Sequence, residues 1–306
     1  MKTIFLSILL LLAFFTPSLR AQEAASLLSK ANDAKAMGNA AEAVALCDQA
    51  VALEPNNPNM YFNRGIARHA TNDYLGAMAD FSKAIDLNPN ESNYYQKRAA
   101  LHLYQKNYTQ AAADFQKALD LNPKSFQTAY SLGKTYMAAN NQAKAQEAFT
   151  KAIALDAKHA DSYFQRAEIL AAKGDYTQAL TDYNKAITLD TKQANYFYRR
   201  GVANLKSKHA DKAEADFTSA LKLKANHLES LYNRGTARLS LKNYAGAISD
   251  FDATLGQQPN HADALHGRGL AKMLNKDSAG ACADWNKAAG LGSAKAKQSL
   301  TKYCKS

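Results

Sequence analysis

Residues 83–89 read KAIDLNP, and residues 117–123, 34 positions further on, read KALDLNP. The same frame returns as KAIALDA at 151–157, KAITLDT at 185–191 and SALKLKA at 219–225, always 34 residues apart. A chain that repeats at one interval of this size is built from stacked copies of a single supersecondary unit, each burying its apolar side against the next. Outward from these segments, units occupy 24–57, 58–91, 92–125, 126–159, 160–193, 194–227, 228–261 and 262–292, with no insertion or deletion between them. The repeat array thus fills residues 22–292 of the 306.

Each unit reads as two helices. Position 8 is always small (Ala31, Gly65, Ala99, Gly133, Ala167, Gly201, Gly235, Gly269), and position 20 is alanine in all eight units. Position 27 is alanine except for Thr254. Position 24 is large and aromatic from the second unit on: Phe81, Phe115, Phe149, Tyr183, Phe217, Phe251 and Trp285, with Cys47 in the first. Small residues facing one bulky residue make an interlocking core. Asn or Asp at position 16 in seven units suits the N-cap of a second helix, His209 being the departure. Pro55, Pro89, Pro123 and Pro259 stand at position 32 and Pro58 opens a unit, so proline marks boundaries and interrupts no predicted helix.

Composition agrees. With 14 Gly and 6 Pro, 47% hydrophobic and 21% charged residues, the chain is neither collagenous, disordered nor multi-spanning, and a turn-rich all-β enzyme is not expected.

The small residue at position 8, alanine at 20, the aromatic at 24, alanine at 27 and proline at 32 resemble the tetratricopeptide repeat. The likeness covers residues 24–295, with a missing boundary proline in repeats four to six and eight and an aliphatic first unit as its departures. It implies an all-α fold, an α-solenoid in which eight helix pairs wind into a right-handed superhelix with the first helices lining a concave groove. It also implies a non-catalytic scaffold that binds a peptide or protein segment there.

Under that geometry positions 2, 5, 9 and 12 of the first helices face the groove. The candidate contacts are Asn59, Phe62, Asn93, Gln127, Tyr130, Asp161, Phe164, Asn195, Tyr198, Glu229, Tyr232 and His266, with amides and acids to hold a backbone and rings to accept side chains. Aromatic residues at this spacing equally suit packing. Position 5 is never Lys, so the basic clamp that holds a C-terminal carboxylate in some relatives is not expected.

Used as an alignment of the chain with itself, the repeats place Arg at position 7 and Asp at position 23 in the same six units (Arg64/Asp80 to Arg268/Asp284), whereas repeat 4 has Leu132 and Ala148 instead. Joint presence and joint absence predict a structural Arg–Asp bridge within each unit. The recurring lysines, such as Lys83, Lys117, Lys151 and Lys185, are spread around the array, so a nucleic-acid partner is not expected despite a net charge of +11.

No G-x-x-x-x-G-K, G-x-S-x-G or H-E-x-x-H occurs, and no segment outside the repeats is long enough for a catalytic domain. Neither cofactor, metal nor small-molecule substrate is expected; His261, Asp263 and His266 straddle a unit boundary and read as incidental. Residues 293–306 depart from the repeat and read as an amphipathic capping helix. That helix lays Cys304 near Cys282, a candidate disulfide, and leaves Cys47 as a buried thiol at a core position.

Residues 1–21, with Lys2, an apolar run over 4–15 and Ala21 at the end, have the order of a secretory signal, too short to span a bilayer comfortably. The sequence is accordingly expected to be an exported bacterial protein, periplasmic, envelope-associated or secreted. The alternative function is a self-assembling structural protein of the envelope, which a concentration-dependent mass would reveal.

Overall fold

The computed structural model describes residues 17–304, so the apolar run at 4–15 lies outside the described residues. These form seventeen α-helices and no strand. The chain divides into two compact units, residues 1–155 and 156–306.

In the first unit the helices are α1 (Pro17–Ala36), α2 (Ala40–Leu53), α3 (Pro58–Ala70), α4 (Tyr74–Leu87), α5 (Ser92–Tyr104), α6 (Tyr108–Leu121), α7 (Phe126–Ala138) and α8 (Gln142–Leu155). In the second they are α9 (Ala160–Ala172), α10 (Tyr176–Leu189), α11 (Ala194–Lys206), α12 (Ala210–Leu223), α13 (Leu228–Ser240), α14 (Tyr244–Gln257), α15 (Ala262–Leu274), α16 (Ser278–Gly290) and α17 (Ala294–Tyr303). Within each unit, odd and even helices pair as hairpins, and each hairpin stacks on the next. The expected helix-pair solenoid fold is confirmed.

The turn inside each hairpin is the same throughout. The amide at position 16 donates to the carbonyl at position 11, as in His209 to Asn204 at 2.9 Å and Asp73 to Arg68 at 2.9 Å. This closes the first helix with a Schellman motif, which requires a left-handed residue at position 15. Gly38 and Gly174 take that conformation freely, but Asn72, Asn140, Lys106, Lys208, Lys242 and Lys276 also hold it, at φ between 56° and 70°. The next residue starts the second helix: Asp73, Asp175, Asn243 and Asp277 accept from the amide three residues on. Asn39 and Asn107 instead turn their amides to Glu42 and Gln105 and make no cap.

The core follows the repeat positions. Every alanine at position 20 is buried, as is every residue at position 27. Thr254 is accommodated there because its hydroxyl donates to the Asp250 carbonyl, 2.9 Å away, so no buried donor is left open. Position 8 is small because the position-24 ring lies against it: a Cβ on Gly133 or Gly201 would come within 2.7 Å of Phe149 or Phe217.

The ends depart from the repeat in two ways. Helix α1 begins at Pro17 and runs unbroken through Ala21, starting seven residues before the first repeat at Ala24, because no helix breaker follows Pro17 until Gly38. At the other end α17, capped by Ser293, packs Ala296 and Leu300 on the last repeat, and Cys304 is bonded to Cys282 with their Cα atoms 5.8 Å apart. No helix among the described residues is long and apolar enough to cross a membrane.

Candidate protein-interaction face

Positions 2, 5, 9 and 12 of a helix fall on one stripe, since residues three and four apart are neighbours on its surface. In the first unit this stripe presents Asn59, Asn93 and Gln127 exposed at position 2, above half-buried Phe62 and Tyr130. In the second it presents Asp161, Asn195 and Glu229, also exposed, above Tyr198, Tyr232 and His266, which are half-buried. Phe164 differs: it is 6% exposed and offers almost nothing to a ligand.

Each position-5 ring is part of the core. It lies against the position-24 ring of its own repeat, as in Phe62 on Phe81 (5.8 Å between centroids), Tyr130 on Phe149 (5.7 Å) and Tyr198 on Phe217 (6.0 Å). The following repeat decides how much of it remains visible. Where position 3 of that repeat is Tyr, its ring lies against the position-5 ring: Tyr94 is tilted on Phe62 at 4.8 Å and leaves it half-buried, whereas Tyr196 stacks on Phe164 at 4.7 Å and Phe164 is buried. The two hydroxyls then donate to the position-2 groups beneath, Tyr94 to Asn59 Oδ1 at 2.7 Å and Tyr196 to Asp161. Where position 3 is Ser or Ala, a histidine one turn earlier supplies the contact instead. His227 meets Tyr198 edge-on at 5.0 Å and His261 stacks on Tyr232 at 5.1 Å.

The histidines are thereby assigned. His261 accepts from the Ala264 amide as a helix cap, His227 bonds Ser230 Oγ at 2.7 Å, and His266 lies 3.2 Å from Ser299 of the capping helix. Burial lowers the pKa of His227 and His266, with Lys224 and Lys295 adding to it. Among the described residues no three His, Cys, Asp or Glu side chains converge as a metal site requires.

The Arg–Asp pairs lie between the two helices of a repeat. Arg98 Nε and Nη2 are each 2.8 Å from the two oxygens of Asp114, and Arg166 meets Asp182 at 2.7 and 2.8 Å. The six aspartates are only 2–6% exposed. The remaining guanidinium nitrogen reaches the preceding repeat, which sequence reasoning missed: Arg64 to Asp48 (2.9 Å), Arg200 to Asn184 (2.8 Å), Arg268 to Asp252 (2.6 Å). Where this third contact is made, the pair also joins neighbouring repeats within its unit and is internal structure. In repeat 4, Leu132 and Ala148 fill the same place and floor a cavity of about 390 Å³ with Leu119, rimmed by Lys144 and Lys151.

A regular array of helix hairpins, with one polar stripe per unit and its charged pairs turned inward, defines a repeat scaffold for protein interaction. Sequence families described as tetratricopeptide repeat match residues 28–92, 102–169, 198–260 and 232–296, and one described as TPR repeat matches 167–208. The chain belongs to the tetratricopeptide repeat family. Among curated proteins none matches it in sequence. Of the solved structures it resembles, the C-terminal part of a TPR repeat-containing protein from Cytophaga hutchinsonii is 22% identical, with a TM-score of 0.65 over 78% of this chain and 99% of that one. YrrB, described as a TPR protein with an unusual peptide-binding site, is 23% identical with a TM-score of 0.56, covering 61% and 97%. A tetratricopeptide repeat protein from Parabacteroides merdae is 18% identical with a TM-score of 0.56, covering 82% and 99%.

Proposed function

We propose that the protein is a non-catalytic adaptor that binds an extended peptide or protein segment along its first-helix face. The observation that carries this reading is the exposed polar side chain at position 2 of each repeat from Asn59 to Glu229, set above a half-buried ring at Asn59, Gln127, Asn195 and Glu229. An extended backbone needs donors and acceptors at regular intervals, and amides and carboxylates supply them while the rings give apolar contact. The peptide-binding site named for YrrB, a protein of like fold, supports the reading by analogy. We assign the site of action to the bacterial periplasm or envelope, on the signal-like order of residues 1–21.

The test is capture of partners from envelope extract by the full chain, beside Asn93→Trp with Asn195→Trp, which blocks the face in both units without touching the core. A control, Lys185→Trp, places the same bulk on an exposed second helix. A partner kept by parent and control and lost by the blocked variant supports the adaptor. Equal capture by all three moves binding off this face, and recovery of the chain alone favours self-assembly. N-terminal sequencing of exported material tests cleavage after Ala21.

A further inference from the structure

The hairpin turns of the second unit gather positive charge and exposed apolar side chains at one edge. Between positions 12 and 19 of repeats 6 to 8 stand Lys206, Lys208, Lys212, Lys242 and Lys276 against Asp211 and Asp277. All of these lysines are exposed, and none is ion-paired among the described residues. Asp277 is engaged as a helix cap, accepting from the Gly280 amide at 2.8 Å. The opposite edge, where these repeats join, has Asp190, Glu229 and Asp263 against Lys192 and Lys224. Basic charge is therefore sorted to the turns.

Two features of these turns cost the fold something. Lys208, Lys242 and Lys276 hold φ at 63°, 62° and 70° in three consecutive repeats, where Gly174 of repeat 5 meets no such strain. The turn does not demand lysine, since Asn72 and Asn140 make it as well. Beside these lysines, Leu241 and Leu274 are 41% and 47% exposed. The same turns in the first unit carry Leu75, Met37 and Tyr104, which at 80%, 77% and 65% are the most exposed large apolar side chains among the described residues. Strain and apolar exposure that recur at one register mark a contact surface.

We propose that the turn edge of the second unit rests on an anionic bilayer surface, its lysines among the headgroup phosphates and Leu241 and Leu274 at the boundary with the acyl chains. Attraction to a charged surface is summed over many groups and needs no seat for any one cation; each Lys near the headgroups adds about fivefold in affinity. The leucines decide the kind of partner, since a soluble polyanion gives them nothing apolar to enter and the headgroup boundary does. The lysines and leucines concerned lie beyond the stripe of positions 2, 5, 9 and 12 that carries the adaptor reading. The proposal deepens the envelope assignment without using residues 1–21.

The test reads the edge locally, because the apolar run at 4–15 has its own affinity for lipid. The full chain carries an environment-sensitive fluorophore at Ser240→Cys, on the turn of repeat 7, or for reference at Gln257→Cys, at the far end of α14, Cys47 being buried. Vesicles of phosphatidylethanolamine with phosphatidylglycerol should shift the Ser240 label to the blue, and phosphatidylcholine vesicles should need at least about tenfold more lipid for the same shift. Lys208→Asn, Lys242→Asn and Lys276→Asn together keep the turn and should raise the lipid required at least about tenfold. Lys185→Gln, Lys192→Gln and Lys287→Gln remove the same charge elsewhere in the unit and should leave it unchanged. Leu241→Ser with Leu274→Ser should weaken binding at least about fivefold. No shift at Ser240, an equal shift at Gln257, or equal loss in the two lysine variants, each of parental helicity, overturns the proposal. If the leucine variant binds vesicles as the parent does, the edge recognises anionic charge alone, which displacement by polyphosphate would show, and the bilayer assignment fails. Partner capture with Asn195→Trp remains the separate readout of the adaptor face.

Discussion

Arg200 reaches Asp216 with Nε at 3.0 Å and, through Nη1, Asn184 of the preceding repeat at 2.8 Å, so one side chain ties two helices of its own repeat and the hairpin before it. Asp216 is buried, and Asn204 donates to its other oxygen at 2.8 Å. Removing the guanidinium leaves a buried carboxylate without its countercharge.

Arg200→Leu is therefore expected to destabilise the protein by about 3–5 kcal/mol. Repeat 4 shows the remedy, since Leu132 and Ala148 stand together where the others have Arg and Asp. Arg200→Leu with Asp216→Ala should recover most of the loss, measured by urea denaturation as a double-mutant cycle. A cycle with no coupling energy contradicts the bridge.

Lys208 holds φ at 63°, where an L side chain crowds the backbone. Lys208→Gly should raise stability by about 0.5–1 kcal/mol, the steric relief exceeding the added freedom of the unfolded chain. Gly174→Ala, at φ 84°, should cost about 1 kcal/mol. Thermal denaturation of the two variants, moving in opposite directions, checks the assignment.

Gly201 lies against Phe217, where an added Cβ would come within 2.7 Å of the ring. Gly201→Ala should cost about 1–3 kcal/mol through overpacking, and Phe217→Leu in the same chain should restore part of it. Additive losses in the double variant would show that the two sites do not share this contact.

Burial pushes the Cys47 thiol up to about 11, with the Asp48 charge adding to it. Iodoacetamide at neutral pH should leave the native protein unlabelled, label one cysteine after unfolding without reductant, and label three after reduction. Cys304→Ser should weaken the C-terminal end by about 2–4 kcal/mol, read as faster hydrogen exchange in α17.

His102, His227 and His266 all have pKa values lowered by burial, His102 against an opposing pull from Asp114. A histidine whose folded pKa lies below its unfolded value makes the unfolded chain bind more protons. Stability is accordingly full above about pH 6.5 and falls as pH drops through the unfolded and then the folded value. Replacing His227 by Asn should shallow that acid limb in denaturation curves taken from pH 7 to 5.

The fold was legible because identity recurs at fixed positions: the alanine at 20 can be read in all eight copies, and the alanine at 27 and the ring at 24 in seven each. The Arg–Asp pairs were legible for a related reason, since Leu132 and Ala148 lose both partners together. The third contact of Arg64, Arg98, Arg200, Arg234 and Arg268 was not, because Asp48, Ser82, Asn184, Thr218 and Asp252 share only a short polar acceptor and no common residue identity. The left-handed turn was hidden for the same reason, Lys, Asn and Gly all standing at position 15. At the interaction face the sequence placed Asn59, Asn195 and Glu229 on the surface, but treating every position-5 ring alike overlooked Phe164. Tyr196 stacks flat on this ring, whereas Tyr94, at the same position, only tilts against Phe62, a difference that residue identity does not carry.

The variety of acceptors that satisfy the arginines also bears on how such a chain can change in length. A hairpin carried to a new place needs only a short polar side chain on its predecessor to complete the joint, and five different partners already meet that need. An in-frame duplication or loss of 34 residues, or of a multiple of 34, keeps the spacing that these contacts need, whereas any other number breaks it at that point. Recombination can thus add or remove binding surface one module at a time without a new solution for the interior.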